Sequence, residues 1–356
     1  MTKPISSDRK GAATMAEYIV KESALKDFFK SLTEGRKLLA PVEVDGKLQM
    51  AEADPENISI NYTNTHMSPK SAFFPQTERL MAFHNDAEKS DPFVYKPLGL
   101  DNVDQTVLFG IRPCDARGLV VDNLVFQNNR FTDPYWKTKY ESSIKIGLAC
   151  HNPCPQCFCT SVGGSPFGEE GLDVLAVVKD GGLALKSVTA EGEEFLKGLK
   201  GTESGDTSAT MDELKKAAEA KMPAAIDQTQ VEAREIMDIY NQPHWQETAD
   251  RCLNCGVCTF VCPTCHCFDI QDETSAKGGV RMRNWDTCMS WLYSMHGTGH
   301  NPRPTKTERV RQRFMHKLKY IPMKQNGNCG CIGCGRCVTM CPVNIDIREV
   351  ARQMNQ

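Results

Sequence analysis

Two stretches of the chain repeat one arrangement of cysteines. The first reads Cys252-Leu-Asn-Cys255-Gly-Val-Cys258-Thr-Phe-Val-Cys262-Pro263, and the second reads Cys331-Ile-Gly-Cys334-Gly-Arg-Cys337-Val-Thr-Met-Cys341-Pro342. Both follow the pattern C-x-x-C-x-x-C-x-x-x-C-P, so each places three thiols in one tight loop and a fourth just beyond it. The repetition of so specific a spacing indicates a bound metal centre around which this part of the chain folds.

The spacing is that of bacterial ferredoxins with 4Fe–4S clusters, in which the fourth cysteine of each run ligates the other cluster. Three thiolates in one loop reach three corners of a cubane, and soft sulfur ligands suit iron–sulfur clusters. Zinc ribbons also use C-x-x-C pairs, but zinc leaves the third cysteine and the Cys-Pro step unexplained in both runs. Cross-ligation predicts one cluster on Cys252, Cys255, Cys258 and Cys341 and a second cluster on Cys331, Cys334, Cys337 and Cys262.

The composition agrees with metal or redox chemistry in a reducing compartment. The chain has 356 residues, 17 cysteines, 40% hydrophobic residues and a net charge of −3. Residues 1–10 lack the apolar stretch of a secretory signal, and no run of about 18 apolar residues occurs. We therefore expect a cytoplasmic protein without a membrane span, in which disulfides rarely persist. The balanced charge predicts no bulk attraction to nucleic acid.

A second group of cysteines follows two apolar stretches, Thr106–Ile111 and Ile144–Ala149, which read as buried strands. Strands that end in cysteines can bring distant thiols together, and a third 4Fe–4S cluster is the favoured interpretation. Zinc and buried free thiols are the alternatives. The candidate ligands of this third site are Cys114, Cys150, Cys154, Cys157 and Cys159.

The spacing of Cys150, Cys154 and Cys157 also occurs in radical S-adenosylmethionine enzymes, which would make the chain an enzyme in its own right. The strand–helix repeats of a barrel do not follow this motif, which argues against that alternative. No Walker A sequence and no G-x-G-x-x-G after a strand is present, so the sequence indicates no nucleotide or substrate site of its own. Four further cysteines, for which packing roles or another metal site are possible, are Cys265, Cys267, Cys288 and Cys329.

The stretch 301–324 contains eight Lys and Arg residues against one acid, Glu308. Such a run is usually a solvated face, and a zinc-dependent nucleic-acid binder is a sharper alternative. A third interpretation is that its cations offset the negative charge of thiolate-ligated clusters. The same cations could instead dock an acidic partner.

The predicted fold class is α+β, with a mixed α/β domain over residues 1–245 and a mainly helical, two-cluster ferredoxin-type domain over residues 246–356. The 68 residues between Cys262 and Cys331 are too many for a minimal ferredoxin. They are expected to hold helices around Arg281–Met295 and Thr305–Tyr320. Further expectations are helices over Ala16–Leu32, Met211–Lys221 and Gln228–Tyr240 and hairpins over Leu38–Ala51 and Asp173–Val188.

With the cysteine motifs placed, the neighbouring words resemble those of one family. It comprises the iron–sulfur subunits similar to the beta subunit of cytoplasmic sulfhydrogenase and to the iron–sulfur subunit of anaerobic sulfite reductase. The resemblance covers nearly the whole chain and rests on the order of short words: Ser68-Pro-Lys70, Phe74-Pro75, Phe109-Gly-Ile-Arg-Pro-Cys-Asp115, Cys157-Phe-Cys-Thr-Ser161, Cys262-Pro-Thr-Cys265, Asn284-Trp-Asp-Thr-Cys288 and Cys331-Ile-Gly-Cys-Gly-Arg-Cys337.

The resemblance implies a subunit that carries electrons and leaves substrate chemistry to its partners. Those partners would be a flavin subunit that handles NAD(P)H and a catalytic or heterodisulfide-reductase-like relay subunit. The complex would be of the hydrogenase, sulfite reductase or heterodisulfide-reductase type.

Overall fold

The computed structural model describes residues 16–85, 93–101, 103–223 and 226–356; the prediction made from residues 1–10 lies outside them. An eight-stranded sheet forms the front part, in the order β10-β1-β9-β8-β7-β6-β2-β3. Its central strands β2, β6, β7 and β8 are parallel, and its outer pairings are antiparallel. The strands of this sheet are β1 (Glu17–Val20), β2 (Lys37–Val44), β3 (Lys47–Glu52), β6 (Thr106–Ile111), β7 (Ser143–Leu148), β8 (Val174–Lys179), β9 (Gly182–Ser187) and β10 (Glu203–Ser204).

Helices cover both faces of this sheet, because its central strands are apolar on both sides. Val107 and Phe109 of β6 face one core, and Leu108 between them faces the other. The helices in this part of the chain are α1 (Leu25–Leu32), α2 (Pro113–Phe126), α3 (Pro134–Glu141), α4 (Ala190–Lys197), α5 (Ser208–Ala220), α6 (Gln228–Ala233) and α7 (Ile236–Tyr240).

The C-terminal part is built from short helices around a third core, which includes Trp245, Phe314 and Val350. Phe158 from the front part belongs to the same core. The helices here are α8 (His244–Arg251), α9 (Val257–Phe260), α10 (Lys306–Met315), α11 (Ile321–Lys324), α12 (Arg336–Thr339) and α13 (Ile347–Met354), with a π-helix at His316–Tyr320 that joins α10 to α11. No helix in the described ranges is long and apolar enough to cross a membrane.

A second, antiparallel sheet joins strands from the two ends of the chain. Its order is β11-β12-β4-β5, so β12 pairs with β4 across almost 200 residues of sequence. The sheet therefore unites residues on both sides of the predicted boundary near residue 245, which stays a prediction. The strands are β4 (Thr77–Asn85), β5 (Phe93–Pro97), β11 (Phe268–Ser275) and β12 (Gly278–Trp285).

Three local predictions are wrong in part. The helix expected around Arg281–Met295 is instead the end of β12 and the segment after it, because pairing with β4 outweighs local periodicity. The first four residues of the helix expected over Ala16–Leu32 form an edge strand against β9. The helix expected over Gln228–Tyr240 breaks after Ala233. The two hairpins and the basic helix after residue 305 are confirmed.

A buried ion pair ties the second cysteine run to the front sheet. The Arg336 guanidinium donates to both oxygens of Asp115, with Nη1–Oδ1 at 2.5 Å and Nη2–Oδ2 at 2.7 Å. Arg336 also donates to the Thr65 carbonyl and to the Asn64 side chain. Both charged groups are almost fully buried, so each satisfies a charge that would otherwise be costly.

Asp115→Asn should destabilise the protein by about 3–5 kcal/mol, because it leaves the Arg336 guanidinium buried without a counter-charge. The melting temperature of anaerobically purified protein measures the loss. Asp272→Asn is the matched control, since Asp272 forms an equally bidentate pair with Arg281 at the surface. That variant should melt close to the wild type. Equal shifts in the two variants would contradict the prediction.

Candidate iron–sulfur sites

The first cysteine run and Cys341 line one cavity. We call it site one: Cys252, Cys255 and Cys258 form one wall, and Cys341 of the second run completes it. Met289 and Phe314 supply apolar lining, and Cys337 also reaches this cavity. The thiols predicted to share a cluster by cross-ligation therefore lie around one space.

A second cavity, site two, is lined by Cys331, Cys334 and Cys337 together with Cys262 of the first run. This is the other half of the cross-ligation pattern. Burial raises the pKa of the Cys337 thiol to about 12, so binding a metal centre here must displace protons. Among the described residues, no three Cys, His, Asp or Glu side chains meet at a single-ion site. The thiols instead stand on several sides of each cavity, as ligands to a cubane would.

The two runs have the same backbone conformation. Gly256 and Gly335 follow the second cysteine of each run with φ of 74° and 75°, and each is the residue from which a short helix starts. Asn254 and Gly333, two residues earlier, also have positive φ. These left-handed residues fold each run into a tight loop, which turns its three thiols toward one side.

Arg313 lies between sites one and two and lines both cavities. Its Nε donates to the Cys258 sulfur at 3.0 Å, and its Nη2 donates to the Cys258 carbonyl at 3.1 Å. The remaining Nη1 is buried and has no hydrogen-bond partner among the described residues. A buried, unpaired guanidinium nitrogen beside two thiol-lined cavities fits the presence of negatively charged clusters there.

The basic run is not a solvated face, because four of its cations are buried. Lys317, one turn after Arg313, lines site two and donates to the carbonyl and hydroxyl oxygens of Thr264 at 2.5 and 2.7 Å. Lys319 donates to the carbonyls of Glu232 and Arg234. The charge-offset interpretation therefore fits Arg313 and Lys317, whereas Lys319 caps the end of α6. The buried cations are Arg309, Arg313, Lys317 and Lys319.

A third cavity, site three, lies where β6 and β7 end in the front part. Four of the five cysteines predicted for a third cluster line it: Cys114, Cys150, Cys157 and Cys159. Arg112 is also in its wall and donates to the carbonyls of Leu148 and Ala149 at 3.0 and 2.8 Å. Burial raises the pKa of Cys159 to about 12. The strand-end prediction that Cys114 lies beside the later cysteines is therefore confirmed.

Cys154, the fifth candidate, does not line site three in this way. It forms a disulfide with Cys157. A disulfide was not expected, and binding a metal centre through Cys157 requires its reduction. Cys154 would then be left as a spare thiol beside the site.

Sites two and three touch through backbone. The Phe158 amide donates to the Gly333 carbonyl at 2.8 Å, and the Cys157 sulfur lies 3.5 Å from the Cys334 carbonyl oxygen. A side chain at Gly333 would come within 2.5 Å of the Cys159 backbone nitrogen. Glycine at this position therefore permits the close approach, and the three sites follow one another in the order one, two, three.

Sequence reasoning missed several residues that hold these sites. Lys70 is buried and donates to the Cys265 carbonyl at 2.7 Å, and its ammonium lies 3.9 Å from the centre of the Trp285 ring. Asp122 is fully buried, 3.4 Å from His266. These contacts join residues that are far apart in sequence, so no local pattern announces them. Arg336 alone carried a signal, since it lies inside the second run.

Comparison with known proteins agrees with the motif analysis. Residues 251–345 match the model of the 4Fe–4S dicluster domain family. This part of the chain is a 4Fe–4S dicluster domain, which favours iron–sulfur clusters over zinc at sites one and two.

The chain is also similar to sulfhydrogenase 2 subunit beta of Pyrococcus furiosus, with 27% identity over 334 residues. The similarity covers 93% of this chain and 96% of that protein. The predicted resemblance to sulfhydrogenase beta subunits is confirmed, and so is the α+β fold with a C-terminal dicluster domain. Domain and similarity together define an iron–sulfur electron-transfer protein.

Arg313→Gln should lower the reduction potentials of the centres at sites one and two, because the reduced, more negative state loses a buried cation. A fall of about 60 mV or more is expected, equal to a tenfold change in a one-electron equilibrium. Potentiometric titration followed by EPR measures it.

Arg311→Gln is the matched control on the same helix, since Arg311 stacks on Tyr240 at 3.6 Å and lines neither cavity. Potentials in this variant should match the wild type. Unchanged or raised potentials in Arg313→Gln would refute the role assigned to the guanidinium.

Proposed function

We propose that this chain relays single electrons inside a cytoplasmic oxidoreductase complex of the hydrogenase, sulfite reductase or heterodisulfide-reductase type. One partner would be a flavin subunit that handles NAD(P)H, and the other a catalytic or heterodisulfide-reductase-like subunit. The observation that carries the proposal is the row of three adjoining cavities walled by cysteines. The similarity to a sulfhydrogenase beta subunit supports the class of complex.

The proposed ligand sets follow the cavities. Bound 4Fe–4S clusters would supply one-electron transfer, and the chain supplies the thiols, the spacing and the charges around them. Sites one and two carry the cross-ligated sets, whereas site three carries the third cluster without Cys154. The sets are Cys252, Cys255, Cys258 and Cys341 for site one; Cys331, Cys334, Cys337 and Cys262 for site two; and Cys114, Cys150, Cys157 and Cys159 for site three.

Exposure suggests where the row meets its partners. Cys255 of site one is exposed, and Leu253 beside it is 63% exposed. Site two lies between the other two and is enclosed by Phe158, Arg313 and Lys317. We assign one partner contact to the surface around Cys255, because a short distance to the donor or acceptor favours electron transfer there.

Cys262→Ser should damage the cluster held by Cys331, Cys334 and Cys337 and leave the cluster held by the first run largely intact. Cys341→Ser should do the reverse. EPR of the reduced variants shows which signal is lost in each. Loss of the signal that belongs to the variant's own run would instead show that each run closes its own cluster.

Iron and sulfide analysis tests the third cluster. Anaerobically purified wild-type protein should contain about twelve iron atoms per chain, and Cys150→Ser should contain about eight. Cys154→Ser is the matched control and should stay near twelve. A wild-type value near eight would contradict the third cluster, and a value below about four with stoichiometric zinc would contradict the whole assignment.

The relay itself is tested in the intact complex, co-purified from its source. NAD(P)H should bleach the visible iron–sulfur absorbance of the wild-type complex. With Cys252→Ser in this chain, the flavin should still be reduced, while reduction of the terminal acceptor should fall at least tenfold. Unimpaired terminal reduction in that variant would exclude a relay through site one.

A further inference from the structure

Two cysteines outside the three sites meet at the foot of the β11–β12 hairpin. Strand pairing brings Phe268 opposite Trp285, and the Asp286 amide then donates to the Cys267 carbonyl at 3.0 Å. This closes the hairpin one residue before β11 and places Cys288 on the facing segment. Cys267 and Cys288 are each partly exposed and line none of the three sites.

The two thiols are in direct contact. They hydrogen-bond to each other, and the Tyr293 hydroxyl also hydrogen-bonds to Cys267. The hydrogen bond from Cys288 lowers the pKa of Cys267 to about 5, and the same bond raises the pKa of Cys288. A thiolate held against a thiol has the arrangement from which a disulfide forms.

The pair lies beside site one. Met289, which follows Cys288, lines the site one cavity. Thr287, which precedes Cys288, donates or accepts a hydrogen bond at 2.8 Å with Thr259 in α9, and Gly256 packs against it. The segment 287–289 therefore connects the thiol pair to the loop that holds the first cysteine run.

The other two unassigned cysteines differ from this pair. The Cys265 thiol hydrogen-bonds to Cys262, so it faces site two. The Cys329 thiol is buried, accepts from the Cys331 amide at 3.4 Å and lies 3.6 Å from the Lys317 carbonyl oxygen. Those contacts assign Cys265 and Cys329 to the support of site two, whereas Cys267 and Cys288 contact chiefly each other.

We propose that Cys267 and Cys288 form a reversible dithiol–disulfide centre that exchanges two electrons with the one-electron carriers of this chain. In the oxidising direction the two S–H bonds break, one S–S bond forms, and two protons and two electrons leave. The electrons pass one at a time to iron–sulfur clusters, and reduction is the reverse. For these carriers the inference rests on the proposed function.

Anaerobic coulometry of the full cluster-containing chain tests the centre. Fully reduced wild-type protein should release two electrons per chain more than Cys267→Ser or Cys288→Ser. Cys329→Ser, which also lacks one unassigned thiol, is the control and should match the wild type. Equal electron counts in the wild type and the Cys267→Ser variant would overturn the proposal.

Mass spectrometry identifies the bond. After native blocking with a maleimide, the oxidised wild type should yield a peptide linked through Cys267 and Cys288, and the reduced protein should carry the maleimide on Cys267. A tenfold change in the ratio of linked to free pair should need about 30 mV, as a two-electron couple requires. Absence of the linked peptide at oxidising potentials would overturn the proposal.

Iron analysis separates the possible failures. Cys267→Ser should keep the iron content of the wild type, and a loss of about four atoms would show that Cys267 is a cluster ligand instead. Fewer than about four iron atoms in every sample, wild type included, would refute the proposed electron relay. The linked peptide is read independently of iron, so it would still report on the thiol pair.

Discussion

The structure depends on placing positive charge beside buried thiols. Clusters ligated by four thiolates are negatively charged, and burial in a region of low dielectric makes an uncompensated charge costly. Arg313 and Lys317 meet this need from successive turns, so both cations project from one side toward sites one and two. Val310 and Phe314 pack the same helix into the C-terminal core, which holds the cations in position.

The front sheet serves the same end from the other direction. Parallel strands leave their carboxyl ends at one edge, where polar and ligating residues of neighbouring strands can meet. Here β6 leads to Cys114 and β7 leads to Cys150, while Arg336 reaches from the second run to Asp115, the residue after Cys114. Site three is thereby fastened to site two by an ion pair as well as by the Phe158–Gly333 hydrogen bond.

Sequence alone identified what is local and periodic. The two runs, the apolar central strands and the basic helix all appear in short windows, and each run carries its own loop-forming residues at Asn254, Gly256, Gly333 and Gly335. What it missed depends on distant pairing. β12 looked helical because its partner β4 lies almost 200 residues away, and the run 301–324 looked solvated because burial of a cation is decided by the anionic group opposite it.

The long insertion between the runs follows from their interleaving. The first run ends at Cys262 in site two, yet the second run must enter site two through Cys331, so the intervening chain has to leave the sites and return. It leaves as β11 and β12, which pair with β4 and bind the front part, and it returns as α10, which delivers Arg313 and Lys317. A shorter connection could close the loop but would supply neither the second sheet nor the buried cations. The hairpin also creates the position at which Cys267 and Cys288 meet, next to site one. The insertion is therefore the part of the chain that joins the sheet, the charges and the thiol pair to the cysteine runs.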